Sequence, residues 1–208
     1  MATTTSAAQA APAGFEFPRE YYFPPFFTRQ TNLNTHHAQL VKWSSLVLAY
    51  CQHHRLFKLS LSPTAGGSSN PNGTASGSAE DIFHNKRLNR RLALADVREV
   101  IDFMRKDGRA EYVGGGEGAG GAMAGGDVVW VYWRTPEEWA ALVEGWVDET
   151  AQKGTVLTLY ELTEGEATRG TDFHGLDQDL LQKALNVLVK RGKAQIFGQE
   201  DSQGVKFF

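Results

Sequence analysis

The chain has 208 residues, of which 41% are hydrophobic and 22% are charged, a composition typical of a folded globular protein. Its formal net charge of −3 argues against a sequence-independent surface for nucleic-acid phosphates, because such surfaces need clustered lysine and arginine. Cys51 is its one cysteine, which excludes an internal disulfide and fits a reducing compartment, and no stretch approaches the roughly 18 apolar residues of a membrane span.

Three segments contain few residues that can form a core. Residues 1–14 are rich in alanine, threonine and serine, residues 63–78 are almost all small or polar, and eight of the thirteen residues 114–126 are glycine. Such segments cannot bury enough apolar area to offset the entropy of ordering them. We therefore predict a disordered tail at 1–14 and flexible loop insertions at 63–78 and 114–126. The glycine run is not a phosphate-binding loop, because no Gly-Lys-Ser/Thr follows it.

Seven successive residues before the first predicted helix, from Tyr21 to Phe27, are aromatic or proline. A proline pair presets an extended backbone, so docking costs little chain entropy, and aromatic anchors often dominate the binding energy. We expect residues 21–23 to pack inward and the rest to face a partner protein. The alternative is that the whole segment folds back onto its own domain. The predicted partner-binding residues are Pro24, Pro25, Phe26 and Phe27.

The first half of the chain then alternates helical and strand patterns. Apolar residues at three- and four-residue steps predict helices, alternation of apolar and polar residues predicts strands, and Gly108 lies where a left-handed helix end is expected. The predicted elements are a helix at 35–54, a strand at 57–61, a short basic helix at 83–92, a helix at 93–106, and the two arms of a hairpin at 110–113 and 128–133.

The second half opens with a helix-start signature. Thr135 can cap the first amide groups, Pro136 is preset for the first turn, and Glu138 completes a capping box. Asp177 is placed to cap a later helix, which ends before Gly192. The predicted elements are a helix from 135 through 147, a strand at 155–159, a short helix or turn at 160–165, a helix at 177–191, and a closing hairpin at 194–197 and 205–208.

The two halves repeat one another. Residues 106–113 align with 190–197 at an offset of 84, and the first helix of each half aligns at an offset of 96, a difference that the insertion at 63–78 explains. Each half reads helix, strand, helix, helix and a two-stranded wing, the order of a winged-helix domain. The sequence therefore predicts an α+β, mainly α fold of two tandem winged-helix domains, at 15–134 and 135–208.

DNA binding is the first of two alternative functional classes. Winged helices often bind DNA through their third helix, but both third helices here carry mixed charges. A winged-helix DNA-binding transcription regulator stays as the alternative, although the one basic cluster is short and such a patch is usually a solvated face. That cluster comprises Lys86, Arg87, Arg90 and Arg91.

An enzyme or metalloprotein is the other class. Cys51 and His54 lie one helical turn apart without a second ligand pair, and Asp172 and His174 have no accompanying nucleophile. We predict no catalytic, cofactor or metal site. Trp43, Trp139 and Trp146 are expected in the core, whereas Trp130 and Trp133 in the wing are candidates for exposure.

The run from Phe23 through Asn32, Phe-Pro-Pro-Phe-Phe-Thr-Arg-Gln-Thr-Asn, resembles the start of the vacuolar protein sorting-associated protein 25 family, the small subunit of the ESCRT-II complex. The resemblance continues through Gly154–Leu162, Phe173–Leu176 and Gly204–Phe208, and covers residues 15–208 apart from the two insertions. The proline-aromatic run and the Gly154–Leu162 block are its most specific parts.

The resemblance implies a non-enzymatic, cytoplasmic protein that is recruited peripherally to endosomal membranes and needs no cofactor. Two copies of the family's protein join one each of two larger winged-helix subunits, into which the proline-aromatic motif, here Pro24, Pro25, Phe26 and Phe27, docks. The second winged helix would engage the subunit that initiates ESCRT-III, and so promote sorting of ubiquitinated cargo into multivesicular bodies. No short motif marks this second interface.

Overall fold

The computed structural model describes residues 14–61, 76–114, 127–198 and 203–208. The predicted tail up to residue 13 and most of both predicted insertions lie outside these ranges. The first half contains α1 (Leu33–His53), β1 (Lys58–Ser60), β2 (Ser76–Ser78), α2 (Ala79–Phe83), β3 (His84–Asn85), β4 (Arg90–Arg91), α3 (Leu94–Lys106), β5 (Ala110–Tyr112) and β6 (Val128–Val131). The second contains α4 (Pro136–Glu149), β7 (Val156–Thr158), α5 (Leu159–Glu164), α6 (Gln178–Lys190), β8 (Ala194–Phe197) and β9 (Gly204–Phe207).

Both halves have the winged-helix order of elements, which confirms the predicted fold class. In the first module the sheet order is β2-β1-β6-β5, and in the second it is β7-β9-β8. Strands β1, β6 and β5 therefore correspond to β7, β9 and β8, and all of these pairings are antiparallel. Strand β2 is an addition to the first module.

The helix ends follow the predicted signals. The Thr135 hydroxyl accepts from the Glu138 amide while the Glu138 carboxylate accepts from the Thr135 amide, and Asp177 accepts from the Asp179 amide at 2.9 Å. Gly108 and Gly192 have φ of +68° and +69°, a left-handed conformation that other residues adopt only at a cost. These equivalent turns join the third helix of each module to its wing.

The predicted basic helix at 83–92 is wrong. A short helix, α2, ends at Phe83, and the chain then forms a hairpin of β3 and β4. Two asparagines make the turn: the Asn85 side chain accepts from the Leu88 amide, and Asn89 takes the positive φ that asparagine tolerates. The basic cluster therefore lies on a hairpin.

The predicted insertion at 63–78 also ends earlier than expected. Residues 76–78 form β2, which pairs in parallel with β1, and the Ser78 side chain caps α2 by accepting from the Glu80 amide. Backbone pairing orders this segment although its own side chains supply little apolar area.

The two hydrophobic cores do not separate at the predicted boundary between residues 134 and 135. Phe57, Trp130 and Tyr132, from the first half of the chain, pack in the core of the second module, where Trp139 is fully buried. Trp130 is buried and Trp133 half-buried, so their predicted exposure is wrong. They fill the junction between the two modules.

Polar groups complete this junction. Burial acts to raise the pKa of Glu111, but the Lys183 ammonium and the Tyr132 hydroxyl both donate to its carboxylate, each at 2.6 Å, and hold this pKa below its usual value. Lys58 of β1 lies within 3.0 Å of the carboxylates of Asp177 and Asp179 at the start of α6. Strands of the first module therefore contact the third helix of the second through aromatic packing and charge-assisted bonds.

Candidate protein-docking surface

The segment before α1 forms two short 3-10 turns, Arg19–Tyr22 and Pro24–Phe27, separated by Phe23 in an extended conformation. Proline suits the first position of such a turn, because its missing N–H would have no partner there and its fixed φ is already compatible. We call residues 18–30 the leader.

Phe26 and Phe27 are buried in the core of the first module, with exposed fractions of 6% and 5%. The Phe26 ring stacks on Trp43 with a centroid separation of 4.2 Å, and Phe27 meets Trp43 edge to face at 5.4 Å. The prediction that both phenylalanines face a partner is therefore not what the structure has. For these two residues the alternative, folding back onto the chain's own domain, describes the structure.

Two side chains of α1 hold the leader backbone over the helix. Gln39 donates to the carbonyls of Phe26 and Thr28 at 2.8 and 2.9 Å, and Trp43 Nε1 donates to the Phe26 carbonyl at 3.2 Å. Gln39 also accepts from the Gln30 amide at 3.3 Å. Because Gln39 and Trp43 are buried, these bonds fix the turn that begins at Pro24.

The opposite side of this turn is apolar and exposed. Tyr22 and Phe23 are 45% and 60% exposed, and Pro24 and Pro25 are exposed beside them. We define these four residues as the proline surface. The expectation that residues 21–23 pack inward holds only for Tyr21, which is buried and whose carbonyl accepts from Asn85 Nδ2 at 2.8 Å.

The basic hairpin lies beside the proline surface. The Arg87 guanidinium lies 5.6 Å from the centroid of the Tyr22 ring, and β4 contacts the turn at Pro24–Phe27. Lys86, Arg87 and Arg90 are exposed, whereas Arg91 pairs with Glu80. The structure thus brings together two features that lie more than 60 residues apart in the sequence, and only the turn-forming asparagines hint at this arrangement.

The leader ends at a small ionic cluster on α3. The Glu99 carboxylate receives bonds from Arg29 at 3.0 and 3.2 Å and lies 2.9 Å from His36 Nε2. Arg29 and then His36 lower the pKa of Glu99 to about 2. His36 is buried and His37 exposed, as two adjacent helical residues should be.

Glu99 should make the stability of the leader depend on acid. Its pKa in the folded chain lies below the unfolded value of about 4.3, so its stabilisation is complete above that value and is lost as pH falls toward 2. We expect Glu99→Gln to speed amide exchange in residues 26–30 at neutral pH and to flatten the loss of stability between about pH 5 and 2. Asp102→Asn, which removes a single exposed ion pair with Arg105 on the same helix, is the control. Equal acid sensitivity of wild type and Glu99→Gln would contradict this role.

No group of three or more His, Cys, Asp or Glu side chains suited to a metal ion occurs within the described ranges. Cys51 is fully buried, and burial raises the pKa of its thiol to about 12, so it is not a reactive thiolate at neutral pH. Every helix in the part of the chain that the structure describes is too short or too polar to span a membrane.

A family model described as "ESCRT-II complex subunit" matches residues 20–177. The chain is 38% identical over 194 residues to the vacuolar protein-sorting-associated protein 25 of Homo sapiens, covering 93% of this chain and 98% of that protein. The protein of the same name from Dictyostelium discoideum is 33% identical over 198 residues, with 93% and 96% covered. The chain belongs to the vacuolar protein-sorting-associated protein 25 family.

Solved structures of members of this family, abbreviated VPS25, also resemble the structure of this chain. The crystal structure of the VPS25 subunit of the endosomal trafficking complex ESCRT-II superposes with a TM-score of 0.72 at 24% identity, covering 91% of this chain and 97% of that chain. A chain in the structure of the ESCRT-II endosomal trafficking complex gives 0.73 at 26% identity, with 91% and 98% covered. The chain is thus an ESCRT-II subunit of the endosomal trafficking machinery.

Proposed function

We propose that the proline surface of this chain docks into the two larger subunits of its ESCRT-II complex. One structural neighbour is a chain of the endosomal complex ESCRT-II (VPS22/VPS25/VPS36), which contains two other subunits beside VPS25. The observation that carries the proposal is the exposure of Phe23, Pro24 and Pro25 on a turn whose backbone is fixed by Gln39 and Trp43. An apolar surface that is already ordered loses little entropy on binding.

The basic hairpin refines the kind of partner surface expected. Lys86, Arg87 and Arg90 flank the proline surface without ion pairs among the residues that the structure describes. A complementary partner would offer an apolar pocket for Phe23 and the prolines, with carboxylates at its rim. Such rim charges act on association rate and specificity more than on affinity.

A second partner would bind to the second module. We propose that it engages the subunit initiating ESCRT-III, so that the chain bridges the two complexes without catalysis during sorting of ubiquitinated cargo on endosomes. The extensive junction between the modules supports this role, because it fixes their relative positions. Removal of residues 136–208 would expose Phe57, Trp130 and Tyr132, so point variants of the second module are better probes than truncation.

Co-expression tests the proposal. The full chain should co-elute with the two larger subunits as one complex during size-exclusion chromatography, and that complex should retain the ESCRT-III initiating subunit. Failure to form the first complex would refute the docking role. A stable first complex that does not retain the ESCRT-III subunit would refute only the bridging role.

The DNA-binding alternative has less structural support. On α6, the third helix of the second module, Lys183 bonds Glu111 of the first module and lies 5.5 Å from the Trp130 ring centroid, so this part of the helix is covered. Submicromolar binding to duplex DNA near physiological salt, weakening steeply as salt rises, would restore this alternative.

A further inference from the structure

The internal repeat allows the sheets of the two modules to be compared edge by edge. Strand β1 has β6 on one side and, on the other, the parallel strand β2, in the register Lys58–Ser76, Leu59–Gly77 and Ser60–Ser78. Its counterpart β7 pairs with β9 alone. Within the described ranges, the edge that β2 covers in the first module has no strand on it in the second.

The free edge of β7 presents backbone groups at Val156. The Leu159 amide donates to the carbonyl of Gln203, the residue opposite it, and successive residues of a strand alternate in the direction of their bonds. Leu157 therefore faces β9, whereas the N–H and C=O of Val156 point away from the sheet. The Val156 side chain is 51% exposed, and β7 lacks the lysine or proline that commonly protects edge strands.

The two edges differ in the side chain that they admit. A Cβ at Gly77, the centre of β2, would lie 2.6 Å from Leu56 Cδ1, so only glycine fits beside β1 without displacing Leu56. Leu56 lies two residues before β1, and Gly154 is the equivalent residue, two before β7. A Cβ added at Gly154 would have no atom within 4 Å, so nothing takes the place of the Leu56 side chain there. A strand added to β7 thus has room for an apolar side chain at its centre.

We propose that the edge of β7 binds an extended segment of another protein by parallel strand addition, with an apolar side chain seated beside Gly154. The seating of β2 on β1 is the precedent for this geometry within the same chain. Tyr160, two residues after the end of β7, is 66% exposed and is a candidate aromatic contact for the added segment. Main-chain bonds supply affinity in this mode and the seated side chain supplies specificity. The site lies apart from the proline surface and does not depend on it.

A peptide derived from this chain tests the proposal. Its sequence is that of residues 72–80 with Gly77→Leu, which fits the β7 edge and is disfavoured at β1 by Leu56. Titration into the isotope-labelled full chain, up to about 1 mM, should shift the amide resonances of residues 155–157. The unmodified glycine peptide should shift them less.

Two matched variants complete the test. Val156→Lys places a charge on the edge and should weaken peptide binding at least about tenfold, whereas Val189→Lys, at an exposed valine of α6, should leave binding unchanged. The proposal is overturned if the peptide shifts none of these amides, binds Val156→Lys as well as wild type, or shifts residues 58–60 instead. Concentration-dependent shifts at 155–157 without peptide would assign the edge to a second copy of the chain and also overturn it.

Discussion

Replacing Phe23, Pro24 and Pro25 together with alanine is expected to abolish co-purification with the larger ESCRT-II subunits while leaving the free chain folded. The three side chains are exposed and contribute little to the core, whereas Gln39 and Trp43 bond backbone carbonyls that remain in the variant. Truncation of one interface anchor costs about 2 kcal/mol of binding free energy. Even if only two of the three residues are anchors, the affinity should fall about a thousandfold.

Exposed apolar residues of the same module provide a matched control. Leu33 and Val41 are 81% and 43% exposed on α1, and their double alanine variant should assemble normally. Affinity capture through a tag on one larger subunit, with thermal melting of each free variant, separates binding from folding. If the Phe23/Pro24/Pro25 variant is captured as well as the wild type, the proline surface is not part of the interface.

Phe26→Ala or Phe27→Ala is expected to act on stability instead, by about 3 kcal/mol or more for each substitution. Both rings are buried against Trp43, so truncation leaves a cavity as well as losing the transfer free energy of the removed atoms. Denaturant unfolding of the free chain should show the loss. Tyr22→Ala, at the 45% exposed neighbour of Tyr21, is the control and should change stability by less than about 1 kcal/mol.

Because the prolines are exposed and the phenylalanines are buried, the two kinds of residue must be tested in separate variants. A variant with alanine at all four positions from Pro24 to Phe27 would lose assembly whether or not the motif touches a partner, because its two phenylalanines support the fold. Unaltered stability of Phe26→Ala would show that its ring is not part of the core in solution.

The fold was largely predictable because the repeat supplies each module with a second copy of its pattern. The capping box at Thr135 and the glycines at 108 and 192 mark chain turns through local chemistry, which does not depend on the rest of the molecule. Such signals can be read from sequence alone.

The errors concern features that tertiary contacts decide. Residues 83–92 have a helix-like composition, but Asn85 bonds the leader and Asn89 turns the chain, so a hairpin forms. Trp130 belongs to an alternating strand pattern that predicts an exposed wing residue, but the second module covers its side chain. The proline-aromatic run was recognisable, but which of its rings lie inside depends on Trp43, seventeen residues beyond Phe26.

A native mass spectrum of the co-expressed assembly shows whether the proline surface holds the chain in its complex. We expect a species with two copies of the wild-type chain and one of each larger subunit. With the Phe23/Pro24/Pro25 variant we expect only the two larger subunits. Retention of two copies of that variant, or no complex with the wild-type chain, would contradict it.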